Sequence, residues 1–562
     1  MISRTVTRHS MLAWLMRLAR IAVILIGAAA RAHAAPAAPA APGRTLSLDV
    51  LFTSDIHGHI DRSAATFLNP EFPPPLGGGA SAATYIARVR AEAAPEKRPV
   101  LLFDCGDIFQ GTPVGTHTQG TTIIEWMNRM RYDAATFGNH DFDLGRDNAE
   151  RLAREASFPV LVANLYERAT GERVAWARDH VVAEVDGVRI AVLGYITEST
   201  VNMAFAKNIA GLDFRPVGGQ IQADVDRVRA EGADLVFVLL HHGLPYRFDM
   251  ETEYRRIMAR EAADSLAHPG MDAMELAHIV RGVDIIFSGH THQGYDRPWQ
   301  DPRTHTMVVE PYANGSSLGH LTLDIDRPTR SLIGYRTHFD RGALLTLLED
   351  EVWPDTSEAG WIEPRVAAAE QGLEVQVGRT SGPLPRGSAD DGLMGFVVAD
   401  AYREALEADF AIQNTGGVRA DLAPGVITER DLLAVSPFGN QMVLANIPGA
   451  MLRDLIEDRL SGRGGGLFIS GGRVRYDPSR PDRERLVEFT IGGASLDTAR
   501  VYRVALTDYL AEGNSGLSRL RALPAEAFLP AGMTDRQTLS IYIRNHPALD
   551  VKNDGRWSRV AR

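Results

Sequence analysis

Seven side chains of metal-binding type punctuate about 240 residues of this chain: Asp55 and His57, Asp107, Asn139, His241, and the pair His290 and His292. Two divalent ions a few ångströms apart need a bridging carboxylate, hard oxygen ligands and unprotonated imidazoles, and they hydrolyse phosphate esters by activating water and neutralising phosphoryl oxygens. The residue types meet that need. Asp55-x-His57 follows an apolar run, and alternate side chains of an extended segment share a face, so both can point at one ion. Gly106-Asp107 and Gly138-Asn139-His140 place a small residue before the candidate ligand, which lets the backbone turn tightly; in isolation each reads as a simple turn. Gly289-His290-Thr291-His292 is more specific, because two imidazoles two residues apart after an apolar strand are costly to bury without a partner.

The elements that must hold these groups are legible as apolar runs of strand length: Leu46 to Thr53, Val100 to Phe103, Phe158 to Val162, Val188 to Tyr195, Leu235 to Leu240, Val283 to Phe287 and Thr306 to Val309. Helix-like stretches lie between several of them, including Ala80 to Glu92, Thr121 to Met130 and Gly218 to Ala230, which predicts an α/β layered domain. In such sheets ligands gather beyond the carboxyl ends of the strands, where the polar clusters fall. A change to an acidic, helix-prone segment at 342–372 marks an interdomain connector. A second domain follows over 373–550, mixing strands such as Val501 to Thr507 with helices such as Gly392 to Ala408. No fixed-period repeat is present.

Residues 1–34 have the plan of a secretory signal peptide. Arg4, Arg8, Arg17 and Arg20 precede an apolar run from Ile21 to Ala30, and Ala32-His33-Ala34 offers a small-residue cleavage site. The apolar run is shorter than the roughly 20 residues of a membrane span, and an Ala/Pro-rich tether follows at 35–45. Removing the leader's five arginines takes the net charge from −12 to −17, which argues against a nucleic-acid polymer or an acidic membrane as partner. Cys105 is the one cysteine, so no intramolecular disulfide can form. An exported chain without disulfides suits the Gram-negative periplasm. Cys105 itself reads as a small buried side chain.

In the order Asp55-x-His57, Gly106-Asp107, Gly138-Asn139-His140-Asp141, His241-x-Gly243 and Gly289-His290-x-His292, the chain resembles the calcineurin-like metallophosphoesterases, and within them the two-domain 5′-nucleotidase family. The resemblance implies a four-layer α/β/β/α domain over 46–341, followed by a smaller α+β substrate-binding domain. It implies that Asp55, His57 and His292 hold one ion, that Asn139, His241 and His290 hold the other, and that Asp107 bridges them. Asp, Asn and His ligands suit Mn²⁺, Zn²⁺, Fe or Co²⁺. His140 and Asp143 match the family's dyad, in which a carboxylate orients an imidazole and favours its protonated form; the alternative is that Asp143 caps the next helix. His242 is read as structural, and Asp141 stands where many members have Glu.

The second domain is similar to the family's C-terminal domain through Asn414-Thr415-Gly416-Gly417-Val418-Arg419, Ser436-Pro437-Phe438-Gly439-Asn440 and Gly465-Gly466-Leu467-Phe468-Ile469-Ser470-Gly471. By position, Arg419 would bind phosphate, Asn414 the base or ribose, and Phe438 one face of the base, with Tyr509 as the second stacking ring. Ser515 and Asp390 depart from the pattern, standing where members carry an Asp for ribose and an Arg for phosphate. Arg386 lies nearby but out of register and is not assigned that role.

The function these residues imply is an exported phosphomonoesterase acting on 5′-nucleotides, with a hinge near residues 345–375 so that two domains can close on one small substrate. The rivals are a hydrolase of the same superfamily acting on 2′,3′-cyclic nucleotides, nucleotide sugars or a sulfur ester, and a catalytically silent periplasmic nucleotide-binding protein. Oligomeric state is not readable from the sequence.

Overall fold

The computed structural model describes residues 43–560, except 70–71, 246–248, 264, 266–267, 269 and 462–465. The expected leader and nearly all of the Ala/Pro-rich tether lie outside the described residues.

Strand Thr45–Thr53 anchors the first domain. It pairs antiparallel with Ser317–Asp326 and parallel with Val100–Asp104, and Ala134–Ala135, Ser331–Thr337 and Leu344–Thr346 complete a six-stranded sheet. A second six-stranded sheet is built on Leu235–His241, parallel to Val188–Ile196 and to Ile285–Ser288. The sheets pack face to face through residues such as Val50, Phe52, Phe103 and Phe237, with Phe287 central: three phenylalanine rings lie 5.2 to 5.8 Å from it. On the outer face of the first sheet, helices Gly78–Ala93 and Thr121–Met130 bury Ile86, Val89, Ile123 and Met127. Helices Ile221–Ala230 and Ala273–Ile279 cover the second. These are the four expected layers, and burial on both faces explains why the parallel strands read as unbroken apolar runs.

The second domain carries a mixed five-stranded sheet, in which Phe410–Asn414 lies between Leu467–Ser470 and Val501–Thr507. Helices Leu393–Ala405 and Asp535–Asn545 pack against one another in its core. It continues past residue 550: strand Trp557–Arg559 pairs with Gly472–Tyr476, and Trp557 is buried.

Two stretches differ from the sequence pattern. Phe158–Val162 makes only isolated bridges, to Ala135 and Arg178, because its neighbour Ala134–Ala135 is two residues long before the chain leaves the sheet for the loop bearing Asn139. The acidic stretch at 342–372 is not free: Leu344–Thr346 joins the first sheet, and in helix Thr356–Ala369 Ile362 enters the first domain's core while Glu358 takes both nitrogens of the Arg129 fork.

Candidate active site

All seven metal-type side chains converge where the two sheets end. Asp55, His57 and His292 form one group able to hold an ion, and Asp107, His241 and His290 form another. Asp107 stands between them, with Oδ2 3.7 Å from His57 Nε2 and 3.2 Å from His241 Nε2. His57 and His292 turn Nε2 atoms towards each other at 3.0 Å, and His292 Nε2 is 3.4 Å from Asp55. His241 Nε2 and Asn139 Oδ1 are buried and lack hydrogen-bond partners. Buried imidazole nitrogens facing carboxylates, beside an orphaned amide oxygen, are what a pair of divalent cations would satisfy, so the residues present fit such ions.

The rings are aimed from behind. His57 Nδ1–H donates to the Gln110 carbonyl at 2.6 Å and His241 Nδ1–H to that of Cys105 at 2.7 Å, which commits each Nε2 to the centre. Burial pushes the pKa values of His57 and His290 down to about 3, so both present unprotonated nitrogens. Burial also opposes the charged form of His241, but Asp107 outweighs it and draws the value up to about 10, so a proton competes there with a cation. Asp55, His57, Asp107, His290 and His292 all have positive φ, between 49° and 85°. Left-handed backbone is costly for such residues and is kept where surrounding structure enforces it. Gly138 is needed for a different reason: a Cβ there would overlap the Asp107 carboxylate and the His241 ring.

His140 Nδ1–H donates to Asp143 Oδ2 at 2.7 Å. Burial opposes protonation of His140, but Asp143 and Asp107 raise its pKa to about 9. Asp143 does not cap the next helix, since helix Arg146–Glu155 has Gly145 at its N-cap. His242 points away, with Nε2 2.9 Å from Glu198 and Nδ1 on the Met271 carbonyl.

A cavity of about 500 Å³ opens from Asp107, Asn139, His140 and Asp143 onto the second domain, where Asn414, Arg419, Phe438 and Tyr509 line it. The Phe438 ring lies near-parallel to His140 at 5.7 Å, and the Arg419 guanidinium is 5.7 Å above it. Ser515 also lines the cavity, its hydroxyl 3.4 Å from that of Tyr509. Asp390 does not line it; its carboxylate is turned to Tyr476 and Arg559.

Three contributors escape the sequence reading. Arg386 lines the cavity despite its register, with Nη1 3.4 Å from the Arg419 carbonyl. Phe205 reaches across from the first domain to meet Tyr509 edge-on at 5.9 Å, and the next residue's amide donates to Glu512. Glu310, fully buried, accepts from the Leu244 amide at 2.6 Å, Thr291 Oγ1 at 2.8 Å and the Gln293 amide, so one carboxylate ties the His241 loop to the His290–His292 loop. It follows the apolar strand Met307–Val309, the same strand-end placement that marks the ligands.

The calcineurin-like phosphoesterase family model matches residues 48–294, and that of the 5′-nucleotidase C-terminal domain matches residues 371–522. The chain belongs to the two-domain 5′-nucleotidase family of calcineurin-like phosphoesterases. Among members of this family, it is 26% identical over 540 residues to a 5′-nucleotidase of Vibrio parahaemolyticus, covering 90% of each chain. A 5′-nucleotidase precursor of Thermus thermophilus superposes with a TM-score of 0.78 at 23% identity, over 92% of this chain and 100% of that one. The sulfate thiohydrolase of the same organism does so at 0.71 and 21%, over 92% and 97%. At these identities the two structures speak for the shared fold alone. The chain is therefore a metallophosphoesterase, a phosphoric ester hydrolase, with groups able to hold divalent ions.

Proposed function

We propose that the protein is an exported phosphomonoesterase that removes the 5′-phosphate from nucleotides. One observation carries the reading: a single cavity is lined by metal-type groups of the first domain and by two arginines and two aromatic rings of the second. Asp55, His57 and His292 would hold one ion and Asn139, His241 and His290 the other, with Asp107 shared; bound there, divalent ions supply an activated water and charge neutralisation for phosphoryl oxygens. Arg419 and Arg386 grip the phosphate, Asn414 meets the base or ribose, and Phe438 and Tyr509 hold the base by its faces. His140, kept protonated by Asp143, donates to a phosphoryl oxygen as its charge grows.

The exported and periplasmic location rests on the leader pattern; among the described residues no helix is long and apolar enough to cross a membrane. The short link at 370–375, between helix Thr356–Ala369 and strand Gln376–Thr380, is where the domains would hinge. The test is phosphate release by the metal-reconstituted mature protein from AMP, UDP-glucose, 2′,3′-cyclic AMP and p-nitrophenyl phosphate in parallel. Strong preference for AMP is expected; turnover of p-nitrophenyl phosphate alone would overturn the nucleotide assignment while keeping the hydrolytic centre.

A further inference from the structure

A second constellation of ligand-type side chains lies on the first sheet, away from the cavity. Asp49 is on strand Thr45–Thr53, His320 on Ser317–Asp326, and His338 follows Ser331–Thr337, so three adjacent strands each contribute one. Asp49 lies four strand positions, about 13 Å, before the strand's end at Thr53, and Asp55 is two residues beyond that end. One ligand atom from each of the three lies within 4.8 Å of the others. His320 Nε2 is buried and without a hydrogen-bond partner, while the buried Asp49 Oδ2 faces only Arg98 Nη1, 3.3 Å away. His320 Nε2 and Asp49 Oδ1 are 3.5 Å apart, close to the roughly 3.4 Å between ligands of a tetrahedral ion with bonds of about 2.0–2.1 Å.

We propose that Asp49, His320 and His338 form a third divalent-metal site, separate from the catalytic centre and of zinc type. Two imidazoles and one carboxylate are the donor set of Zn²⁺ and Co²⁺ rather than of Mg²⁺ or Ca²⁺. His320 is already oriented: Nδ1 is hydrogen-bonded with the Tyr85 hydroxyl at 2.8 Å, so Nε2 faces Asp49, and on metal binding Nδ1–H would donate to Tyr85 and leave the Nε2 lone pair for the ion. His338 is the member that has to reorient. Its ring stacks on His320 at 3.7 Å with 4° between planes, and its Nε2 meets Thr322 Oγ1 at 2.7 Å. Parallel rings cannot both direct an in-plane lone pair at one ion, so His338, exposed to solvent, must leave Thr322 and tilt as the ion enters from the solvent side. Thr322 keeps its bond to Asp49. Arg98 lies 3.3 Å from Asp49, and its charge makes this a weaker site than the catalytic centre. The bound ion would tie the end of the third strand to the two beside it, just ahead of the passage into the second domain.

The experiment strips the full chain with a chelator, reloads it with Zn²⁺, and counts zinc after desalting. Wild type should retain one zinc per chain more than His338→Ala, and the rise of Tm on zinc addition should be smaller in the variant. Hydrolytic activity should be the same in both. His57→Ala, altered at the catalytic centre, should keep the extra zinc. With Co²⁺, the wild-type minus His338→Ala difference spectrum should show the intense visible bands of a four-coordinate ion. Equal zinc counts in wild type and His338→Ala would overturn the site, as would loss of the extra zinc in His57→Ala. Because His338 is on the surface, its replacement leaves the core intact; Arg98→Met gives an independent arm, in which zinc should bind more tightly, and weaker or unchanged binding counts against the site.

Discussion

The two walls of the cavity are built on opposite principles. On the first domain's side Asp55, His57, Asp107, Asn139 and His241 are all buried, five of the seven metal-type residues sit on left-handed backbone, and two of the four imidazoles are locked from behind by main-chain carbonyls. On the second domain's side Asn414, Arg419, Phe438 and Tyr509 are half-buried and Arg386 is exposed. The first wall is over-determined, so its side chains have one arrangement. The second presents longer side chains from loops and strand ends, which can be exchanged without disturbing a core. On the proposed reading, chemistry is fixed by one domain and selectivity is adjustable in the other, and Asp390 turns outward while Arg386, four residues away, lines the cavity.

The contrast is broken most forcefully from the rigid side. Asp107→Ala removes the carboxylate that stands between the two groups and should lower kcat/KM by on the order of 10³-fold or more, with metal content falling in parallel; retention of a tenth of the activity would show that Asp107 does not unite the two halves. His140→Ala should cost about 10²- to 10⁴-fold in kcat and leave metal content unchanged, so assay of both together separates it from the ligands. The pH profile sharpens this. An imidazole whose pKa is raised is protonated below that value and loses the proton above it, and Asp143 is the largest of the groups raising that of His140. Asp143→Asn should therefore move the alkaline limb of kcat to lower pH, and an unmoved limb would separate the dyad from the reaction. Glu310→Gln weakens the tie between two ligand loops, with an expected 10- to 100-fold loss of metal affinity read by chelator competition and recovery of kcat at saturating metal. Low kcat at saturating metal would mean that Glu310 acts on the reaction itself.

The same contrast decides what could be read without coordinates. Asp55, His57, Asp107, Asn139, His241, His290 and His292 announce themselves because each closes an apolar run, and the parallel strands carry that signal since both their faces are buried. Glu310 closes such a run too, but as a lone acid without a neighbouring glycine or histidine it resembles any loop carboxylate. Strand Ser331–Thr337 hid because it is an edge strand with solvated side chains. Phe205 lies on an irregular stretch between 3₁₀ turns and strand Leu212–Phe214, with no period to mark it, and its role exists only once the second domain has folded against it. Arg386 is not legible from register, because a long side chain on a loop reaches the cavity from several registers.

The smallest expected effect tests the adjustable wall directly. Stacking of a base on an aromatic ring is worth roughly 1–3 kcal/mol, so Phe438→Ala and Tyr509→Ala should each raise KM for AMP by roughly tenfold. For Tyr509→Ala, kcat for p-nitrophenyl phosphate, which has no base to hold, should stay at the wild-type value. Phe438 complicates its own test, since its ring faces His140 at 5.7 Å; removing it changes the surroundings of the imidazole as well as the stack. Tyr509 touches Phe205 and Ser515 instead, and Tyr509→Phe preserves the ring while deleting the hydroxyl. If stacking is what matters, Tyr509→Phe binds AMP like wild type and Tyr509→Ala does not. Should both weaken AMP alike, the hydroxyl and Ser515 form a polar contact to the sugar, and the pocket would select through ribose rather than base.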